Sequence, residues 1–173
     1  MMPTIRDTAY LLRQGRLLAL ADETGWSVAA DPTSDAAVTQ LLQFQTETLW
    51  PTLVIDKVDQ LSLYLVKVPE LAWDLVEFAE NPLTVVYGLG KNVSSVLLTS
   101  QPETAVRRAL SPDVQQLIGS FGKGLLTIPL ETLSLPPAVE ELAAEQFGRL
   151  PASVQKPRIM RLGLNGEIEF IRK

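Results

Sequence analysis

The stretch Leu17-Leu18-Ala19-Leu20-Ala21-Asp22-Glu23-Thr24-Gly25-Trp26-Ser27-Val28-Ala29-Ala30 decides the fold class. Residues 17–21 are an apolar run that reads as a buried strand, and residues 26–30 read as a second extended piece. Outward from this pair, helical and extended patterns alternate. Upstream, residues 4–14 place Ile5, Ala9 and Leu12 on one helical face and stop at Gly15. Downstream, Ser34 and Asp35 open a helix that carries Val38, Leu41 and Leu42 inward and runs to about Gln45. Residues 52–55 form a short strand. After Pro69, Leu71, Ala72, Leu75, Val76 and Ala79 recur at helical spacing, and a strand over 83–87 follows the Asn81-Pro82 break. Residues 104–107 are a further strand. Ser111-Pro112-Asp113 supplies a cap, a first-turn proline and an early acid to a helix that ends near Phe121, before Gly122. Residues 125–128 are the next strand, and a helix starts at Pro136 or Pro137 and runs through Phe147, closed by Gly148. The chain finishes in a hairpin at about 158–172, whose Asn165-Gly166 pair suits a type I' turn. Interleaved strands and helices predict a single α/β domain over residues 1–173, a sheet with helices packed on it.

Composition excludes much chemistry. The 173 residues are 46% hydrophobic, enough for a sizeable core, and include no histidine and no cysteine. Ser-His-Asp hydrolysis, cysteine nucleophiles, dithiol redox chemistry and Cys/His zinc sites are therefore excluded. Any catalysis must use carboxylates, lysine, arginine, hydroxyls, backbone amides or a bound ion. Arg13 and Arg16 cut the first apolar stretch, and no uncharged run reaches the roughly eighteen residues that span a bilayer. A cytoplasmic protein with no membrane partner is expected. The formal charge of -5 is unevenly spread: residues 148–173 hold six Lys/Arg against two Asp/Glu, a local +4, and the preceding 147 hold nine against eighteen, or -9. An acidic body disfavours a broad nucleic-acid surface. The basic tail is either a solvated face or a phosphate contact.

No GxxxxGK[ST] or GxGxxG motif occurs. The Gly88-Leu89-Gly90-Lys91-Asn92 cluster follows a strand and either presents amides and Lys91 to an anion or is a plain loop. Asn92-Val93-Ser94 matches the glycosylation triplet by chance. Asp22 and Glu23 sit at a strand end, where α/β sheets tend to place ligands. Two adjacent acids there hold a magnesium ion or an ammonium group, or form a solvated turn. Trp26 is either a core aromatic or a ligand platform, and Trp50 and Trp73 suit the core.

The order of segments is also informative. Ala21-Asp22-Glu23-Thr24-Gly25-Trp26-Ser27-Val28 is followed by Asp31-Pro32 through Ala36-Ala37-Val38 and Leu41-Leu42, then Gln45-Thr46-Glu47. Pro69-Glu70-Leu71-Ala72-Trp73-Asp74-Leu75 and Asn81-Pro82-Leu83-Thr84-Val85-Val86-Tyr87 come next, then Lys91-Asn92, Ala105-Val106-Arg107 and Phe121-Gly122-Lys123. Thr127-Ile128-Pro129-Leu130-Glu131, Lys156-Pro157-Arg158-Ile159 and Gly166-Glu167 complete the series. Over nearly its whole length this order resembles the YrdC-like family of threonylcarbamoyl-AMP synthases, which make the activated intermediate for threonylcarbamoyladenosine in tRNA. The resemblance implies a YrdC-like fold, a twisted mixed sheet with helices packed on it and a concave cavity that binds ATP, threonine and bicarbonate.

Within that pattern, the family's Pro-Thr-(Asp/Glu)-Thr element has Asp22 at its first threonine and keeps Glu23, Thr24 and an aromatic, Trp26. The Lys-x-Arg pair is replaced by Gln45 and Glu47. The Ser-x-Ser-Ala-Asn strand end is replaced by Thr127 through Glu131, and Arg158 stands at the serine of Pro-Ser-x-Ile. Arg107 and Lys123 are retained. At about 4 Å and an effective dielectric of ~20, a unit pair is worth about 4 kcal/mol, so Glu47 in place of arginine opposes phosphate binding. The resemblance therefore implies a catalytically degenerate member that binds a small molecule or a protein partner. The alternative is a divergent active synthase with ATP and magnesium, in which Lys91, Arg107, Lys123 or Arg158 replace the lost cations. A third reading is a double-stranded RNA or tRNA binder.

Overall fold

Side-chain hydroxyls set where several helices begin: Thr4, Ser34, Ser94 and Ser111 each accept a hydrogen bond from an amide two or three residues on. The computed structural model describes residues 3–173. It contains α1 (Ile5–Arg13), β1 (Leu18–Asp22), β2 (Gly25–Ala30), α2 (Asp35–Leu41), β3 (Thr52–Ile55), α3 (Leu61–Tyr64), α4 (Glu70–Glu77) and β4 (Leu83–Tyr87). These are followed by α5 (Ser95–Ser100), β5 (Thr104–Arg108), α6 (Pro112–Phe121), β6 (Leu125–Pro129), α7 (Pro137–Leu142), β7 (Glu145–Gly148), β8 (Arg158–Leu162) and β9 (Ile168–Arg172). Among the described residues no helix is long and apolar enough to cross a membrane.

The strands form one mixed sheet in the order β7-β1-β2-β6-β3-β5-β4-β8-β9. Every residue of β1 to β4 is buried, so both faces are covered in the middle of the sheet. Alternate side chains separate the faces. On one, Ala19, Val28, Leu53, Val85 and Met160 pack with Leu41, Ala72, Val76, Leu97 and Val139 of α2, α4, α5 and α7. On the other, Leu18, Leu20, Ala29, Val54, Leu125 and Phe147 pack with Ala9, Leu12, Val114, Leu117 and Phe121 of α1 and α6. That second apolar patch covers only part of its face. Beyond it the same face turns polar, with Ser27, Thr52, Thr127 and Arg107, all buried.

The predicted strand pair and α/β class are present, but three local expectations change. The helix expected through Phe147 ends at Leu142. Ala143 is extended (φ -75, ψ 132), and β7 adds to the sheet edge, parallel to β1. Burying Phe147 against α6 and completing a ladder outweighs the helical spacing that suggested otherwise. The final hairpin does not use a type I' turn, because Asn165 lacks the positive φ that turn needs. Gly163 instead pairs with Glu167 around a three-residue loop, with only Gly166 at φ 89. Finally, α3 and α5 are helices in segments whose sequence shows no clear helical periodicity. They are four and six residues long, too short for a repeating apolar face to stand out.

Gly148, expected to end a helix, instead lets β7 approach β1. Its φ is 95, and a Cβ there would lie 2.1 Å from the Ala21 carbonyl oxygen. Replacing Gly148 with alanine is expected to cost about 1–3 kcal/mol for backbone conformation alone, with the clash adding to it. Urea denaturation of Gly148→Ala measures this, and unchanged stability would contradict the pairing.

Candidate functional site

Asp22 and Glu23 end β1 at the tight turn into β2. The Asp22 carboxylate accepts from the Thr24 amide at 2.8 Å and the Thr24 hydroxyl at 2.6 Å, which uses one oxygen locally. Its other oxygen accepts from Arg107 at 2.8 Å, and Glu23 accepts from the same guanidinium at 3.1 Å. The side chains of Arg107 and Asp22 are 2% and 1% exposed, and Glu23 is 16%. The acidic pair is therefore not a solvated turn: its cation comes from β5, and both acids line a cavity of about 550 Å³ with Glu80, Asp113 and Arg149. Arg107 is likewise not a surface residue.

Burial alone would raise the Asp22 carboxyl, but Arg107 and the Thr24 hydrogen bonds outweigh it and hold the carboxyl below its ordinary value. Burial pushes Glu23 up, the Asp22 charge adds to that, and Arg107 only partly offsets them. Burial also opposes the Arg107 charge, and the two carboxylates more than compensate. One full ion pair is thus strongly held, with a second carboxylate carried at a cost.

The Thr127 hydroxyl donates to the Thr52 carbonyl across β6 and β3 at 2.9 Å and is fully buried. Ser27, buried nearby in sheet order on the same face, has a hydroxyl with no partner among the described residues. Gln45 and Trp50 line a cavity of about 240 Å³ with Val86, Gln101, Glu103 and Arg161. Glu47 is exposed, and its carbonyl accepts from the Trp50 indole at 2.7 Å. Other positions lie apart. Trp26 packs in the core on the opposite face, and Trp73 is half-buried against that same core. Arg158 also projects to that side, with Leu71, Leu75 and Phe78 around it. The Lys123 ammonium donates to Asp31 and the Thr33 hydroxyl, both at 3.0 Å, and sits over the Phe121 ring. Lys91 is exposed in a loop pinned by its own amide to the Tyr64 carbonyl, and the Asn92 side chain donates to the Leu63 carbonyl.

A second ion pair was not anticipated. The Arg172 guanidinium grips both Glu131 oxygens and also donates to the Pro157 carbonyl. A bulge makes this possible: Met160 pairs with Phe170 but Ile159 pairs with Arg172, so the extra residue turns Arg172 to the Arg107 face. Glu131 is held at φ 55, a left-handed conformation that asparagine adopts more readily than glutamate. It occupies the place where the resemblance expects the strand-end asparagine, which was the one available signal. Residues 149–157 cross from β7 to β8 beside this pair, tied by the Gln155 amide to the Glu23 carbonyl at 3.0 Å.

Comparison with known proteins agrees with this architecture. The Sua5/YciO/YrdC family model, described as "Telomere recombination", matches residues 10–150. A threonylcarbamoyl-AMP synthase of Chromohalobacter salexigens is 29% identical over 138 residues, 78% of this chain and 75% of that protein. Among solved structures, E. coli YciO superposes with a TM-score of 0.80 at 18% identity, over 98% of this chain and 88% of that one. P. abyssi Sua5 complexed with L-threonine superposes at 0.77 and 22% identity over 97% of this chain, which spans only 53% of that protein.

The two carboxylates of the buried cluster should respond oppositely. Because Glu23 is raised, its ionisation costs folded-state free energy, so its contribution falls as pH rises from about 4.5 through the higher folded value. Asp22 is lowered, so its contribution is present above 3.8 and is lost as pH falls toward the lower folded value. At pH 7, Asp22→Asn is expected to cost about 3–5 kcal/mol by leaving Arg107 underpaired. Glu23→Gln should cost less than about 1 kcal/mol and flatten the decline above pH 4.5. Urea titrations across pH 4–8 check both variants, and equal losses would refute the asymmetry.

Proposed function

The chain belongs to the Sua5/YciO/YrdC family and is related to threonylcarbamoyl-AMP synthases, and we propose that it has kept this fold while giving up adenylation, acting instead by binding a small molecule or a protein partner. The observation that carries the reading is the commitment of Arg107. The retained cation is saturated by Asp22 and Glu23 inside the protein, so it has no charge left over for a triphosphate.

The other positions that the family resemblance singles out, and Arg172, do not make up the deficit. Gln45 and Glu47 stand where the family has its lysine and arginine, and Arg172 is taken by Glu131. Asp22, Glu23 and Glu131 against Arg107 and Arg172 leave a surplus of one negative charge among these paired groups. ATP with magnesium would meet a repulsive field, and each 1.4 kcal/mol of lost attraction is about tenfold in affinity. Arg158 and Lys123 are poor substitutes, since one projects to the other face and the other is paired with Asp31.

An ATP/pyrophosphate exchange assay with threonine and bicarbonate tests the proposal. No exchange above background is expected, together with a melting temperature constant to about 1 °C across millimolar MgATP. Clear turnover would overturn it in favour of a divergent active synthase.

A further inference from the structure

Helix α4 carries two apolar stripes, and the sheet uses only one of them. Ala72 and Val76 are buried in the core that also holds Leu83, Val85 and Met160. Leu71, Asp74, Leu75 and Phe78 recur at i, i+3, i+4 and i+7, so they share a different side of the helix. Leu71 is 39% exposed, and Phe78 at 74% is the most exposed large apolar side chain among the described residues. This second stripe is one wall of a groove of about 420 Å³. The other wall is the start of β4 and β8, where Leu83 pairs with Arg158. An apolar concavity with a protruding aromatic marks an interaction surface more than scattered exposed leucines would.

The charges on the two walls are opposite and unused. Asp74 stands on the α4 wall and Arg158 on the strand wall, and neither side chain makes a hydrogen bond or ion pair among the described residues. Arg108 does not answer Asp74, because its guanidinium donates to the Val76 and Glu77 carbonyls at the end of α4. Every polar side chain that lines the groove is exposed, which suits the rim of a protein interface more than a small-molecule site. A groove with opposite charge on its two walls complements its own twofold image. In such a contact one patch of each copy meets the other patch of its mate. With the axis along the groove, each Asp74 wall faces the other copy's Arg158 wall, and Leu71 and Phe78 leave water together at the centre.

We propose that two copies of this chain associate through this groove as a twofold dimer, with Phe78 at the centre and Asp74 of each copy against Arg158 of the other. Only Leu71 and Phe78 offer strongly exposed apolar surface within the groove. The contact therefore belongs at the small end of specific interfaces, and a micromolar, reversible dimer is expected. α4 packs on the sheet face opposite Arg107, so this inference goes beyond the reading of the Arg107 face and does not rest on it.

Sedimentation velocity of the full chain over roughly 1–500 µM, without nucleotide, tests this. A concentration-dependent monomer–dimer equilibrium is expected. Phe78→Asp, Asp74→Arg and Arg158→Asp should each weaken the dimer by about tenfold or more, the two reversals by setting like charges against each other twice. All three side chains are exposed, so each variant should melt within about 2 °C of the parent. Mixing Asp74→Arg with Arg158→Asp in equal amounts restores an opposite charge at both contacts, and a heterodimer of near-parental affinity should form although neither variant dimerises alone. A third protein seated in the groove would not produce that rescue. A chain that stays monomeric throughout, a dimer unaffected by the three variants, or a mixture that remains monomeric would each overturn the proposal. Mass is the readout and no ATP is present, so failure here leaves the reading of the Arg107 face untouched, and turnover there leaves this one untouched.

Discussion

A guanidinium buried between two carboxylates ties together two strands that are not neighbours. β1, which carries Asp22, and β5, which carries Arg107, are separated in the sheet by β2, β6 and β3. At about 4.8 Å between strands, four intervals put them about 19 Å apart in a flat sheet. A contact of 2.8 Å therefore requires the sheet to coil strongly, and the right-handed twist of its strands supplies that curvature. By register Asp22 lies at one end of the strands and Arg107 toward the other. A twisted sheet brings such diagonal corners together on one face, which makes that face concave. Once the corners meet, the charges are out of water and must be paired. Thr24 completes the Asp22 shell, and Gly25 permits the turn that presents it, since a Cβ there would lie 2.6 Å from the Thr132 carbonyl oxygen.

The Glu131–Arg172 pair repeats this solution further along. β6 and β9 are separated by β3, β5, β4 and β8, and the contact again runs across the concave side. With residues 149–157 tied to Glu23 and Pro157 gripped by Arg172, the polar part of this face is fastened at both ends by internal charges. Thr127 spends its hydroxyl on the Thr52 carbonyl between them. On this face Arg107 and Arg172 both turn inward to the protein's own acids, so their charges tie strands that are not neighbours.

The strand pair around Asp22 was legible because local pattern decides it: an apolar run, two acids at a turn, and a second extended piece. Helices opened by Ser34 and Ser111 were legible for the same reason, since caps act within three residues. The segment from Glu145 to Gly148 was not, because its conformation is set by a ladder with β1, more than a hundred residues upstream. Asp22, Glu23 and Arg107 were each singled out, but nothing within either segment joins residues 84 and 85 positions apart. Arg158 shows a different limit. Motif order placed it beside the cavity, whereas strand parity puts it with α4 and gives the concave side to Ile159 and, beyond the bulge, Arg172. A shift of one residue in a strand reverses every side chain, and motif order cannot see it.

The uneven charge of the sequence acquires a physical meaning from these pairs. The surplus of lysine and arginine after residue 148 suggested either a solvated face or a phosphate contact. Three of those six cations instead meet acids of the acidic body: Arg149 with Asp113, Arg161 with Glu103 and Arg172 with Glu131. The first is exposed and worth little on its own. The other two are better placed, the Arg172 pair being two-pronged and partly buried and the Arg161 pair being reinforced by Glu169. The last two strands sit at the edge of the sheet, where β8 pairs with β4 and β9 only with β8, so their attachment depends on few ladder bonds. Opposite charge on tail and body therefore helps to seat the terminal hairpin, and half of the tail's cations are answered by carboxylates within the chain.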